Sequence, residues 1–279
     1  MRRFILLLAL LTASACTDAP KELTVMTMNM RYDNPEDGEN NWRFRRERIG
    51  ELIRRRSPDL FGTQELLANQ FDDLQRSLPD YRAIGVGRED GARAGEFNAV
   101  FFRPDRFELL SSGTFWLSEE PDRPGSKGWD GACERLATWA VLRDGVQELL
   151  FINTHLDHMG ETARREGVAL LLRRIAALRG GRPVVLTGDF NAEPSSSVVA
   201  QVLAGGTLCS AFDTAPERIG PAWSFSDFGE LPEAERPLID YVFYGGMDPL
   251  RCEVLPDTLG GGYLSDHAFV EARLRYTRK

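Results

Sequence analysis

Histidine and cysteine are scarce in this chain, with three of the first and four of the second among 279 residues. Cys133, Cys209 and Cys252 stand at spacings that match no zinc pattern, which argues against a structural zinc module. An exported chain could pair two of the three, and an unpaired set fits equally well. No Pro/Ser-rich linker interrupts the middle, and there is no low-complexity tract or evident repeat. One large domain is therefore expected, since 42% hydrophobic residues in this length suffice for a substantial core. Beyond the N-terminus, no apolar run is long enough to span a bilayer. A net charge of -8 disfavours sequence-independent attraction to phosphate backbones, although a locally positive or metal-charged cleft can override the total.

Residues 1–15 read as an export signal. Arg2 and Arg3 give a charged start, Phe4–Leu11 an apolar run too short to cross a membrane, and Thr12–Ala15 a small-residue exit. Ala13-Ser14-Ala15-Cys16 resembles a bacterial lipobox, in which the cysteine is acylated and becomes the first mature residue. Ala13 stands where Leu is usual, and Ala13-Ser14-Ala15 also fits an ordinary cleavage site. Residues 16–22 would then be a tether with Cys16 as lipid anchor, and residues 23–279 the folded domain. The expected location is the periplasm, outer membrane or cell surface.

Apolar patterning divides the domain into alternating elements. Strands are expected at Leu23–Met28, Asp59–Gly62, Tyr81–Val86, Phe97–Phe102, Phe107–Leu117, Ala137–Leu142, Glu148–Asn153, Pro183–Thr187, Ile239–Tyr244, Leu250–Val254 and Ala268–Leu274. Helices are expected at Trp42–Arg56, Leu66–Leu78, Thr162–Arg179 and Ser196–Leu203, the third closed by Gly180-Gly181. In the first helix Phe44, Ile49, Leu52 and Ile53 share one side, and the arginines read as its solvated face. Asn34–Asn41, Glu119–Cys133 and Phe212–Pro237 read as loops. Strand–helix alternation mixed with hairpin-like pairs fits an α/β protein whose mixed sheet, or two sheets, are sheathed by helices.

Five polar motifs sit at the ends of apolar runs: Thr27-Met28-Asn29, Gly62-Thr63-Gln64-Glu65, Asn153-Thr154-His155-Leu156-Asp157, Gly188-Asp189-Phe190-Asn191 and Ser265-Asp266-His267. Carboxylates, amides and imidazoles at strand ends point to a crevice there. The set suits a hard divalent cation and hydrolysis of a phosphate ester. Each residue also has a simpler reading. Glu65 could favour a helix N-terminus, Asp189 and Asn191 could form a turn, and Asp240 could cap a strand. His158 lacks such context and reads as a loop residue.

Taken together and in order, the motifs resemble the endonuclease/exonuclease/phosphatase superfamily, the deoxyribonuclease-I-like fold. The resemblance runs from about Leu23 to Leu274. It implies a four-layer α/β/β/α sandwich of two mixed β-sheets flanked by helices, with the site at the sheet edges. It implies that Glu65, Asn29 and Asp266 hold a Mg2+ or Mn2+ ion. Asp189 would position or deprotonate the attacking water, and Asn191 would contact the phosphoryl group. His155 and His267 would flank the scissile phosphate, with Asp240 orienting His267. Arg135 resembles a phosphate-contacting arginine of some branches, and Glu96 a glutamate that supports a histidine. Some nuclease members carry an Asp two positions after the first Asn, where this chain has Arg31 unless Asp33 substitutes.

The expected function is metal-dependent hydrolysis of a phosphoric ester by in-line attack of water. The substrate could be nucleic acid, nucleotide, sugar phosphate or lipid phosphate, and the protein is expected to act as a monomer. The alternative is an inactive membrane-tethered binding module that keeps the fold. A further alternative is a zinc hydrolase built on His155, Asp157 and His267.

Overall fold

The computed structural model of the protein describes residues 21–277. The expected export signal and the Cys16 anchor lie outside the described residues. The chain runs β1 (Glu22–Asn29), α1 (Trp42–Arg56), β2 (Leu60–Gln64), α2 (Ala68–Ser77), β3 (Arg82–Ile84), β4 (Val100–Phe102), β5 (Glu108–Trp116), β6 (Leu136–Asp144) and β7 (Gln147–His155). It continues through α3 (Glu161–Arg179), β8 (Val184–Asp189), α4 (Ser197–Leu203), β9 (Cys209–Ser210), α5 (Ala211–Thr214) and β10 (Glu217–Ile219). It closes with β11 (Asp240–Gly245), β12 (Met247–Val254), β13 (Thr258–Leu259), β14 (Gly262–Tyr263) and β15 (Val270–Tyr276).

Two mixed sheets carry the fold. One has seven strands in the order β10-β12-β15-β1-β2-β4-β3, and the other six in the order β5-β6-β7-β8-β11-β9. Strand periodicity divides their side chains among three apolar layers. Val25, Leu60 and Val270 of the first sheet meet Ala140, Phe151, Val185 and Val242 of the second between the sheets. Met26, Met28 and Phe61, one residue out of phase, face Ile49, Ile53, Phe71 and Leu74 of α1 and α2. Leu150, Ile152 and Leu186 face Val168, Leu171, Ile175 and Val199 of α3 and α4. The result is the expected α/β/β/α sandwich.

Local chemistry explains the helix ends. The Asn41 side chain caps α1 by accepting from the Arg43 amide, and the chain leaves α1 through Ser57 in a left-handed conformation. Gly180 does the same for α3 at φ 52°. The buried face of α1 differs from the expected one. Trp42, Arg45, Ile49 and Ile53 point inward at helical spacing, while Phe44 is 45% exposed. Phe44 lies one residue before the buried row, so its neighbour Arg45 takes the interior place. The Asn34–Asn41 loop contains two 3₁₀ turns, together Pro35–Asn40 with a break at Gly38, and Asn34 caps the first. The expected Phe212–Pro237 loop begins inside α5 and holds β10 and another 3₁₀ turn at Glu233–Glu235. Cys133, Cys209 and Cys252 are free thiols.

A polar seam joins the sheets beneath one edge. Asn153 donates from Nδ2 to the carbonyls of Thr63 (2.8 Å) and Ala99 (3.0 Å), and its Oδ1 accepts from Gln64 (2.6 Å) and Thr187 (3.1 Å). Gly62 makes room for it, because a Cβ there would lie 2.3 Å from Asn153 Oδ1. The seam fixes the register of one sheet over the other. Five of the six strand ends above it carry the predicted motifs.

Candidate active site

Strand register assembles the site. β7 and β8 are parallel with His155 beside Asp189, and β8 and β11 are antiparallel with Asp189 opposite Asp240. β1 and β2 are parallel with Asn29 beside Gln64, so Glu65 emerges next to Asn29. Asp266 and His267 precede β15, which pairs with β1. The chain then turns sharply at the exits. Arg31, Glu65 and Asn191 all have positive φ (52°, 65° and 47°), a strained state for residues other than glycine that is concentrated at functional sites.

Asn29 and Asp189 bridge the two sheets. Asn29 Nδ2 donates to Glu65 Oε1 at 3.0 Å and to Asp189 Oδ2 at 2.9 Å. Asp189 Oδ1 accepts from the Asn191 amide at 2.9 Å, so one oxygen closes a turn while the other faces the cleft. His155 Nε2 lies 3.4 Å and His267 Nε2 3.8 Å from Asp189 Oδ2. Asn191 Nδ2 lies 3.0 Å from His155 Nε2 and donates to the Leu156 carbonyl at 3.0 Å. Asp240 Oδ2 holds His267 Nδ1 at 2.8 Å and also accepts from Ser224 Oγ at 2.7 Å. Phe225 packs on the His267 ring at a centroid distance of 4.8 Å. Ser265 Oγ donates to Asp266 Oδ1 at 3.0 Å, and Arg31 approaches Asp266 Oδ2 at 3.6 Å.

Burial then sorts the charges. Burial, followed by the nearby charge of Asp240, pushes the Asp189 carboxyl up to about 7. Burial works against a charged His267, but the Asp240 carboxylate outweighs it and raises His267 to about 10. Burial, reinforced by Arg135 and Arg88, holds His155 well below the usual imidazole range, so it is neutral. Burial and then Glu65 raise Asp266.

These groups line a cleft of about 480 Å³. It brings together Glu65, Asp266, Asp189, Asn191, His155, His267 and Arg135, all predicted from sequence, while Asn29 and Asp240 stand directly behind them. Ligand atoms of Glu65, His155 and Asp189 lie within 4.8 Å of one another, close enough to share a metal ion. Glu65 turns into the cleft, three residues ahead of the start of α2, rather than serving the helix end. Asp33 does not substitute as a further acidic ligand, because its oxygens accept from Asn41 and Asn69.

Three expectations are corrected. Asp157 is a loop clamp: it accepts from the backbone amides of Ala132, Cys133, Met159 and Gly160. Those amides outweigh burial and hold its pKa at about 2, so the zinc set with His155 and His267 does not form. Glu96 pairs with Arg88 at 2.5 Å rather than supporting His155, whose Nδ1 has no partner. His158 is not a plain loop residue, since it lines the cleft and its Nδ1 meets Arg135 Nη2 at 3.0 Å. Arg88 was missed. It lies in a Gly-rich turn, away from any strand end, and no local pattern marks it.

Residues 26–267 match the endonuclease/exonuclease/phosphatase family over the span that contains every one of these site residues. The chain belongs to that family. Its fold is similar to that of an endonuclease/exonuclease/phosphatase from Bacteroides vulgatus, with TM-score 0.89 and 40% identity, covering 92% of this chain and 100% of that one. It is also similar to a mannosyl-6-phosphatase from Bacteroides thetaiotaomicron, with TM-score 0.86 and 34% identity, covering 91% and 100%. The CCR4-Not complex 3'-5'-exoribonuclease subunit Ccr4 of Emericella nidulans is 31% identical over 124 residues, 40% of this chain and 18% of that one. The chain spans about a fifth of the length of the curated relatives it matches. Membership in the endonuclease/exonuclease/phosphatase family makes this a phosphoester hydrolase fold carrying a side-chain cluster able to hold a metal ion.

Proposed function

We propose that the protein is a divalent-metal-dependent phosphomonoesterase acting on a small phosphorylated molecule, with a sugar phosphate as the favoured class. The observation that carries this reading is Asp189. Its cleft-facing oxygen lies between a neutral His155 and a cationic His267, and Asn29 and the Asn191 amide fix the carboxylate. A buried carboxylate raised to about 7 suits a general base near neutral pH. The cleft's volume of about 480 Å³ and the similarity to a mannosyl-6-phosphatase across 91% of the chain favour a small monoester over a polymer.

Asp189 orients a water for in-line attack and accepts its proton. His267, kept charged by Asp240, faces the negative charge that builds on the phosphoryl oxygens. The Asn191 amide group supplies a further donor, and Arg135 holds the incoming phosphate. Glu65, Asn29 and Asp266 would hold Mg2+ or Mn2+. The oxygen-rich donors fit a hard ion, and such a charge relieves the repulsion between buried Asp266 and Glu65. When bound, the ion supplies polarisation of a phosphoryl oxygen and screening of its charge.

Export and attachment through a lipidated Cys16 belong to the same proposal, supported by the N-terminal signal pattern. Assay of the purified protein with Mg2+ or Mn2+ against phenyl phosphate, hexose 6-phosphates, bis-p-nitrophenyl phosphate, plasmid DNA and RNA tests the reading. Monoester turnover should dominate and fall at least about a thousandfold in Asp189→Ala, the scale of losing a catalytic base. Equal rates in both proteins would favour the inactive binding module. Turnover of DNA or RNA alone would make the protein a nuclease.

A further inference from the structure

Beside Arg135, which meets the phosphate, the cleft has a second wall that the chemistry at Asp189 does not use. Arg88, Glu96 and His158 line it. Arg88 and Glu96 face each other across a loop between β3 and β4, closed by backbone bonds from Arg88 to Glu96 (3.0 Å) and from Glu89 to Ala94 (3.1 Å). Trp116 pins this loop from below by donating its indole N–H to the Arg88 carbonyl at 2.6 Å. Glu96 Oε2 accepts from Arg88 Nη1 at 2.5 Å and lies 4.0 Å from Arg135 Nη1. Arg135 is held in turn by His158 at 3.0 Å, and its side chain is only 7% exposed.

Two buried donors remain unused here. The Nε atoms of Arg88 and Arg135 are buried without a hydrogen-bond partner, the second lying 3.7 Å from Asp157 Oδ2. The protein therefore leaves both guanidinium groups short of their full set of acceptors. Glu96 presents the opposite capacity, a carboxylate that can accept further bonds.

The mixture discriminates among ligands. A second phosphate or carboxylate would gain from the guanidinium groups but would face the Glu96 carboxyl, which burial and then Glu65 push up to about 7 and which an added anion would push further. A nucleobase needs a free aromatic face, but of the cleft's aromatic rings Phe225 is packed on His267 and Tyr32 is covered by the Arg31 guanidinium at 4.7 Å. A hydroxyl both donates and accepts, so neighbouring hydroxyls can satisfy a carboxylate and a guanidinium together. We infer that Arg88 and Glu96, backed by Arg135 and His158, form a polyol subsite that reads the hydroxyl groups of the substrate's carbon skeleton. The subsite assigns specificity to Arg88 and Glu96, and it rests on the phosphomonoesterase reading above.

The experiment compares two probes that share a phosphate and differ in hydroxyls. kcat/KM is measured for glucose 6-phosphate, mannose 6-phosphate and phenyl phosphate in the wild type, Arg88→Lys, Arg88→Ala and the isosteric Glu96→Gln. The wild type should prefer at least one hexose 6-phosphate over phenyl phosphate. That preference ratio should fall tenfold or more in Arg88→Ala and Glu96→Gln, mostly through KM, and Arg88→Lys should recover part of it. A site built to pair hydroxyl groups discriminates strongly against analogues that lack them. Calorimetric binding of the preferred hexose 6-phosphate to the Asp189→Ala protein, with and without Arg88→Ala, reads the same subsite without turnover. A preference ratio within twofold of wild type in both variants, with hexose phosphate binding unchanged, overturns the subsite, because a merely structural role lowers all substrates alike. Absence of any monoesterase activity in the wild type would instead defeat the functional reading on which the subsite stands.

Discussion

Arg45 is the residue whose loss should do most damage without touching the reacting atoms. It is fully buried on α1 and has no carboxylate partner. Its guanidinium donates to four carbonyls: Asn40, Met30 at 2.7 Å, Leu264 at 2.9 Å and Arg31 at 3.1 Å. Burial lowers its pKa to about 10 even though Asp266 lies near enough to support the charge. Three of its acceptors are decisive. Met30 and Arg31 follow Asn29, while Leu264 precedes Ser265 and Asp266, so one side chain ties together the segments that carry two expected metal ligands. Arg45→Met keeps an apolar stem against Trp42 and strips the donors. The buried carbonyls of Met30 and Leu264 then lose their partner, at about 1–3 kcal/mol each, or about 2–6 kcal/mol in all. For a domain of this size about 2–4 °C of Tm accompanies each kcal/mol, which gives a fall of roughly 5–20 °C. Urea unfolding of the metal-free protein measures the first quantity and calorimetry the second. Titration of Mg2+ or Mn2+ should also show weaker binding. A loss below about 1 kcal/mol with unchanged metal affinity would refute the clamp, because it would mean that water or local relaxation satisfies those carbonyls at no net cost.

Asp240→Asn should uncouple His267. The Asp240 carboxylate raises His267 to about 10, so its stabilising charge is complete below the ordinary imidazole value near 6.5 and is lost as pH climbs through about 10. Without the carboxylate, only Asp266 and Asp189 oppose burial, and the ring titrates well below the wild-type value of about 10. NMR titration of the metal-free variant should show this drop, and the alkaline fall in kcat should move to lower pH. An unmoved His267 would refute the pairing. Gly62→Ala should cost about 1–3 kcal/mol by overpacking, since the new Cβ would lie 2.3 Å from Asn153 Oδ1 and 2.4 Å from Thr187 Oγ1. Unchanged urea unfolding would show that the seam yields freely. Metabolic labelling with a fatty-acid analogue should mark the wild type but not Cys16→Ser, and equal labelling would remove the proposed anchor.

The elements with strong apolar periods were legible. The bounds of α1 emerged from the 3.6-residue pattern followed by Pro58, and β1 and β8 from short apolar runs ending in polar motifs. The site residues at strand ends were legible for the same reason, because a polar cluster abruptly closing a buried strand stands out in one dimension. Arg45 was misread because periodicity sorts residues by average polarity. Its four acceptors come from segments up to 219 positions away. Arg88 and His158 had no strand end to mark them, Glu96 was marked only by the family resemblance, and the significance of all three lies in the cleft that they share.

The sequence by itself determined the strand–helix alternation and the polar motifs at strand ends, because hydrophobic period and turn chemistry act over a few neighbouring residues; the four layers and the residue roles were implied only by the family resemblance. Only the tertiary structure decided which candidates meet. Asp240 faces Asp189 through the register of β8 and β11, and Asn29 reaches Asp189 across the two sheets over a separation of 160 positions. Such pairings depend on how the sheets stack over the Asn153 seam, a contact among residues that no local window contains.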